Sequence, residues 1–155
     1  MNTTALINEI KTDPLNRGYI NMTNQQLFDS LNIANRPKIL PLSSNQLLAW
    51  AAQNGRYSKI LSGTTITLAN STLTNGCRSI CWAALKIVER DNAELDLNLA
   101  DRAALVAALV SFNILTQADI DNMYASATIQ ISRLEELDCK SIIFEHFSFL
   151  RDTNK

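Results

Sequence analysis

An all-α fold, a compact single domain of six to eight short helices, is what this sequence predicts, on three observations. Apolar residues recur with a helical period through most of the chain. Ser or Thr repeatedly opens such a stretch with Gln, Glu or Asp three residues later, the pattern of a capped helix start. The three prolines, Pro14, Pro37 and Pro41, fall between the periodic stretches and not inside them.

Residues 4–11 set Leu6, Ile7 and Ile10 on one side of a short amphipathic helix. "DPLNRGY" ends it, because the residue before Pro14 is driven out of the α region and Gly18 accepts a positive φ. Thr23 with Gln26 then caps a second helix striped by Leu27, Phe28 and Leu31, with Met22 able to staple onto Leu27. Asp13, Pro14, Gly18 and Tyr19 thus form a fixed elbow within residues 1–33. The Tyr19 ring is read as core in preference to an exposed contact.

Residues 34–42 form a proline-containing linker, extended by Pro37 and Pro41, and residues 43–155 form the main helical body. Ser43 with Gln46 opens a third helix that stops at Gly55, and "RYSKILS" adds another helical turn or two. Residues 63–72, "GTTITLANST", have the β-branched content of a strand, yet a lone strand has no pairing partner. From about residue 74, Cys77, Ile80, Cys81, Ala84, Leu85 and Val88 share a broad apolar face. Asn98 with Asp101 is expected to start the next helix, which carries Leu105, Leu109 and Phe112. Thr116, with Asp119 three residues on, caps another; "SATIQI" breaks the pattern, and "SRLEEL" and "SIIFEHFSFL" are two last helical pieces.

Composition excludes several partners. The 155 residues carry a formal charge of −1, so no global field attracts nucleic acid or an anionic membrane. The N-terminus lacks the charged start and apolar core of a secretory leader, and the longest apolar-rich run, residues 103–115, is too short to span a bilayer. Three cysteines without framework spacing fit a reducing compartment, so a soluble intracellular protein is expected and three Asn-x-Thr sequons carry no glycosylation meaning.

The chemistry-bearing residues are sparse. Cys77, Cys81, Cys139 and the single histidine, His146, could be imagined as a zinc set, but thiols inside an apolar stripe are better read as core. His146 lies among Phe144, Phe147 and Phe149, and packing outweighs a general-base role. The four glycines are isolated, with no phosphate cradle. Acidic pairs such as Glu135–Glu136 sit at helix starts, where they suit the dipole. Trp50 and Trp82 are read as packing residues. No catalytic, cofactor or metal residue is assigned.

The opening "EIKTDPLNRGYINMTNQQLFDSLN" resembles the start of a family of small uncharacterised proteins of tailed bacteriophages, built on an Asp-Pro-Leu-x-x-Gly-Tyr element. "IANRPKILPLSSNQLL", "LNLADRAALVAALVSFNILTQADIDNMYASA" and "SRLEEL" resemble later pieces of that family in the same order. Departures stand at Phe112-Asn113, where the family has a glycine, at Leu134 for its alanine, and in the aromatic ending "DCKSIIFEHFSFLRD". The resemblance favours helix or loop for residues 63–72. It implies a non-enzymatic phage protein acting by protein–protein contact, most simply a minor virion-associated or assembly component that meets a capsid, neck or tail protein. An intracellular effector that binds and inhibits a host enzyme or defence complex is the alternative, and a hydrolase built on His146 and a cysteine ranks last.

Phe144, Phe147 and Phe149 are the candidate interaction surface, because the tail from Ile142 to Leu150 holds more apolar residues than one helical stripe can bury. A terminal helix buried on more than one side competes with that and is favoured. Pairing of the tail with a second copy would reconcile the two.

Overall fold

The computed structural model describes residues 3–90 and 94–147. Among them are eight α-helices, 63% of the residues being helical, and four short strands. The expected all-α class is therefore corrected to a mostly helical one. β1 (Arg36–Ile39) and β4 (Thr128–Ile131) form one two-stranded sheet, and β2 (Leu42–Ser43) and β3 (Glu94–Leu95) the other. The proline linker and "SATIQI" are extended, and each finds its pairing partner far away in sequence. Pro37 is tolerated because a two-stranded sheet leaves half of the backbone N–H groups outside the ladder. Ser43 stands opposite Glu94 and Leu42 opposite Leu95 in an antiparallel register.

The residues divide into two compact units, 1–38 with 130–155, and 39–129. The sequence reading placed everything after residue 42 in one body; here the C-terminal segment keeps company with the N-terminal elbow. The chain passes from one unit to the other within β1 and β4, and each unit has its own apolar core.

The first unit contains α1 (Thr3–Thr12), α2 (Asn24–Asn32) and α8 (Arg133–Glu136). Its core is Leu6, Ile10, Tyr19, Leu27, Leu31, Leu134, Cys139, Ile142 and Phe147. α2 has the full capping box, Thr23 Oγ1 accepting from the Gln26 N–H and Gln26 Oε1 from the Thr23 N–H. α8 is capped by Ser132 and ends at Asp138, whose φ of 58° lets Cys139 N–H reach the Leu134 carbonyl at 2.7 Å.

The second unit contains α3 (Ser44–Ala52), α4 (Arg56–Gly63), α5 (Ser71–Val88), α6 (Ala100–Ser111) and α7 (Gln117–Ala127). Capping boxes at Ser43 and Thr116 start α3 and α7 as the sequence indicates. α6 departs from expectation. Asn98 does not cap it; its backbone and side-chain N–H groups donate to Asp96 Oδ1 and the side chain also to the Ile39 carbonyl, so Leu99 takes the N-cap position without a side-chain bond. α6 ends at Asn113, whose φ of 56° lets Ile114 N–H bond the Leu109 carbonyl at 2.9 Å. Asparagine tolerates the left-handed region that glycine most often fills at a helix end.

Residues 64–70 are a loop, not a strand or helix. Arg78 holds it by donating to the carbonyls of Thr65 and Ile66, and Thr74 Oγ1 accepts the Leu68 N–H. Immediately before the loop, α4 and α5 meet at Gly63, where an added Cβ would lie 2.3 Å from Cys81 Sγ and 3.0 Å from Ile114 Cδ1. Gly63→Ala should therefore destabilise the protein by about 1–3 kcal/mol through overpacking. A urea unfolding midpoint equal to wild type would contradict that close approach. Among the described residues no helix is long and apolar enough to cross a membrane.

Candidate functional site

The elbow is built from the end of α1 outward. Asp13 N–H still bonds the Glu9 carbonyl, after which Asp13 turns left-handed at φ 39°. Its carboxylate then gathers three backbone N–H groups, those of Arg17 at 2.8 Å, Gly18 at 2.6 Å and Tyr19 at 3.3 Å. Desolvation pushes the Asp13 carboxyl up, but the three donors and the Arg17 charge outweigh it and hold the pKa below its ordinary value. Gly18, at φ 76°, opens a 3-10 turn over Tyr19–Asn21. Tyr19 is fully buried, while Ile20 beside it is 84% exposed. The sequence located this elbow but not its fastening: proline and glycine were legible as turn residues, whereas the carboxylate's three donors exist only once the turn has closed.

The candidate interaction residues separate. Phe147 is fully buried and belongs to the core, against the expectation that it lies on a contact surface. Phe144 is 43% exposed, its ring edge-on to Phe28 at 6.2 Å between centroids, with exposed Ile143 next to it. Phe28 also meets Phe147 edge-on at 5.5 Å. Phe28 thus bridges a core ring and an exposed one. Phe149 lies outside the described residues.

His146 has a local role. Its Nδ1 accepts the Ile143 N–H at 3.2 Å, which caps the turn that presents Phe144. The cysteines are all buried thiols. Burial, followed by the adjacent Cys77, pushes the Cys81 thiol up to about 12, so at neutral pH it is no nucleophile. Among the described residues no three His, Cys, Asp or Glu side chains converge as a metal site.

Two ionic clusters, one reaching the buried Glu9 and one built on the buried Arg56 and Asp119, went unread in the sequence. In the first unit Arg133 pairs with both Glu9 and Glu136, and Glu136 in turn pairs with Arg36. These partners draw α1, α8 and β1 together and keep Arg133 well above the ordinary arginine range. Burial raises the Glu136 carboxyl, but Arg133 and Arg36 bring it below its ordinary value. Glu9 Oε1 and Arg133 Nε are buried and carry no hydrogen bond among the described residues.

In the second unit Arg56 and Asp119 pair at 2.8 Å with both side chains buried. Arg56 also donates to the Trp50 carbonyl at 2.9 Å and lies over the Trp50 ring at 5.0 Å, while Trp50 Nε1–H donates to the Asp119 carbonyl. Asp119 Oδ2 accepts from Thr116 Oγ1–H and N–H as part of the α7 capping box, and Lys59 stands 3.4 Å away. Burial raises the Asp119 carboxyl, yet Arg56, Thr116 and Lys59 more than reverse this and hold it far below the usual carboxylate range. One residue thus caps a helix and locks α3, α4 and α7. The signal available beforehand was Asp instead of Glu or Gln at the third position of a box, with a Trp and an Arg six residues apart upstream.

Trp82, expected in the core, is 52% exposed, whereas Trp50 is buried. Close to Trp50, Leu47, Ile60, Leu105, Leu109 and Met123 border an apolar cavity of about 20 Å³. That is packing slack, far below the roughly 300–1,000 Å³ of ligand pockets. A shallower open groove of about 390 Å³ runs past Ser58, Lys59, Ser62, Gly63, Asn113 and Ile114. No family model, curated protein or solved structure matches the chain.

Proposed function

We propose that this protein acts by binding another protein, as a minor virion-associated or assembly component of a tailed phage. The phage assignment rests on the resemblance of the elbow and of the three later segments. The observation that carries the contact role is the Phe144 and Ile143 pair, exposed on a turn that His146 caps and that Phe28 ties to the core. Such apolar side chains on a fixed support lose little conformational freedom on docking, which is what an interface anchor requires.

Peptide mass spectrometry of density-purified phage particles and of the infected-cell lysate tests this. Wild-type protein should be recovered stoichiometrically in particles, and Phe144→Asp should be depleted from them at unchanged melting temperature. Recovery from the lysate alone would overturn the virion reading in favour of an effector that binds a host protein. Undiminished incorporation of the variant would remove Phe144 from the contact.

A further inference from the structure

α5 satisfies the core with one face and leaves an anomaly on the other. Cys77, Cys81, Ala84, Leu85 and Val88 are its buried side. On the arc centred on Trp82, within about 40° of it at 3.6 residues per turn, lie Ser71, Asn75, Arg78, Lys86 and Glu89. All five are polar. The only apolar side chain on that arc is the largest the genetic code offers, and half of its surface faces water.

The charges around it are unbalanced. Arg78 stands one turn before Trp82 and Lys86 one turn after. The Arg78 guanidinium donates to the carbonyls of Ile66 and Thr65 and to the Thr67 hydroxyl, all neutral oxygens. Lys86 is exposed and has no ion-pair partner among the described residues. The carboxylate of this arc, Glu89, is engaged by the Tyr57 hydroxyl, a bond that raises the Tyr57 pKa. In a chain of net charge −1, the two cations and one hydrogen-bonded carboxylate around the exposed indole thus leave a local excess of one positive charge.

We propose that this face of α5 is a docking surface for an acidic segment of another protein, with Trp82 as the anchor. Tryptophan in a polar surround is the residue most enriched at interface hot spots, and rim cations select an acidic partner and speed its approach. A second copy of the chain is disfavoured, because a two-fold contact at Trp82 sets Arg78 and Lys86 against their own images. Nucleic acid is disfavoured as well, since two cations are few for a phosphate track. This surface belongs to the second unit and does not depend on the phage assignment or on Phe144.

The test is a selection of displayed random peptides on the full-length protein, with the recovered peptides then synthesised. Acidic sequences bearing a bulky apolar residue should be enriched, and their binding should shift the emission of exposed Trp82 to the blue. Trp82→Ala and Lys86→Glu should each weaken binding about tenfold or more, Trp82→Phe should restore part of it, and added salt should weaken it further. The variants should melt with wild type, since both side chains are exposed. Failure to enrich any peptide, enrichment of neutral or basic ones, or unchanged affinity in Trp82→Ala would overturn the proposal. Tighter binding of single-stranded DNA than of the acidic peptides, dependent on Trp82, would overturn it in favour of nucleic acid.

Discussion

Asp119→Ala should cost about 3–5 kcal/mol, because it strands the buried Arg56 guanidinium without a counter-charge and opens the cap of α7 at the same time. Arg56 has no route to water, since its side chain is only 3% exposed. The double variant Arg56→Met with Asp119→Leu should recover most of that loss, as two apolar side chains leave no charge behind. The effect must also depend on pH. The folded carboxyl titrates below its unfolded value of roughly 3.9, so the Asp119 contribution is complete above that pH and is lost as pH falls through the lower folded value. Urea midpoints of wild type and Asp119→Ala should therefore converge as pH drops below about 4. A gap that stayed constant down to acid pH would mean that packing, not the ion pair, sustains α7.

Arg133→Met should be nearly as damaging, about 3–5 kcal/mol, and should act on the first unit. It leaves Glu9, whose side chain is 2% exposed, without the cation that shares its interior, and it releases Glu136 from one of two arginine partners. Glu9→Leu in the same chain should restore a large part of the stability, because the stranded charge is the main penalty. Amide hydrogen exchange on α1 and α8 reads the effect directly, and both should lose protection in Arg133→Met. Protection confined to its wild-type pattern would show that the apolar core around Leu6 and Phe147 holds these helices unaided.

How much of this was legible depended on the range over which each signal operates. Thr23, Ser43 and Thr116 each cap a helix using an atom three residues away, so the box could be read from the residues in order. The core face of α5 followed from period alone. Residues 64–70 could not be assigned, because threonines suit a strand and the loop is fixed by Arg78, more than ten positions on. Likewise Phe147 and Phe144 are both aromatic residues of one short segment, and only the tertiary packing that sets Phe147 among Leu6, Leu27 and Leu31 decides which is core and which is surface.

The sequence by itself determined the helix starts that carry a capping box, the elbow's turn residues and the apolar stripes, since these arise from steric and hydrogen-bonding preferences within a few residues of backbone. Tertiary structure decided the rest. It paired the proline linker with "TIQI" and assigned the C-terminal segment to the unit of the elbow. It also joined Glu9 to Arg133 and Arg56 to Asp119, partners 124 and 63 positions apart. Trp82 was left at the surface because α5 had already filled its core face with smaller side chains. Local rules say which groups can bury or pair; which of them do so depends on what the folded chain brings within a few ångströms.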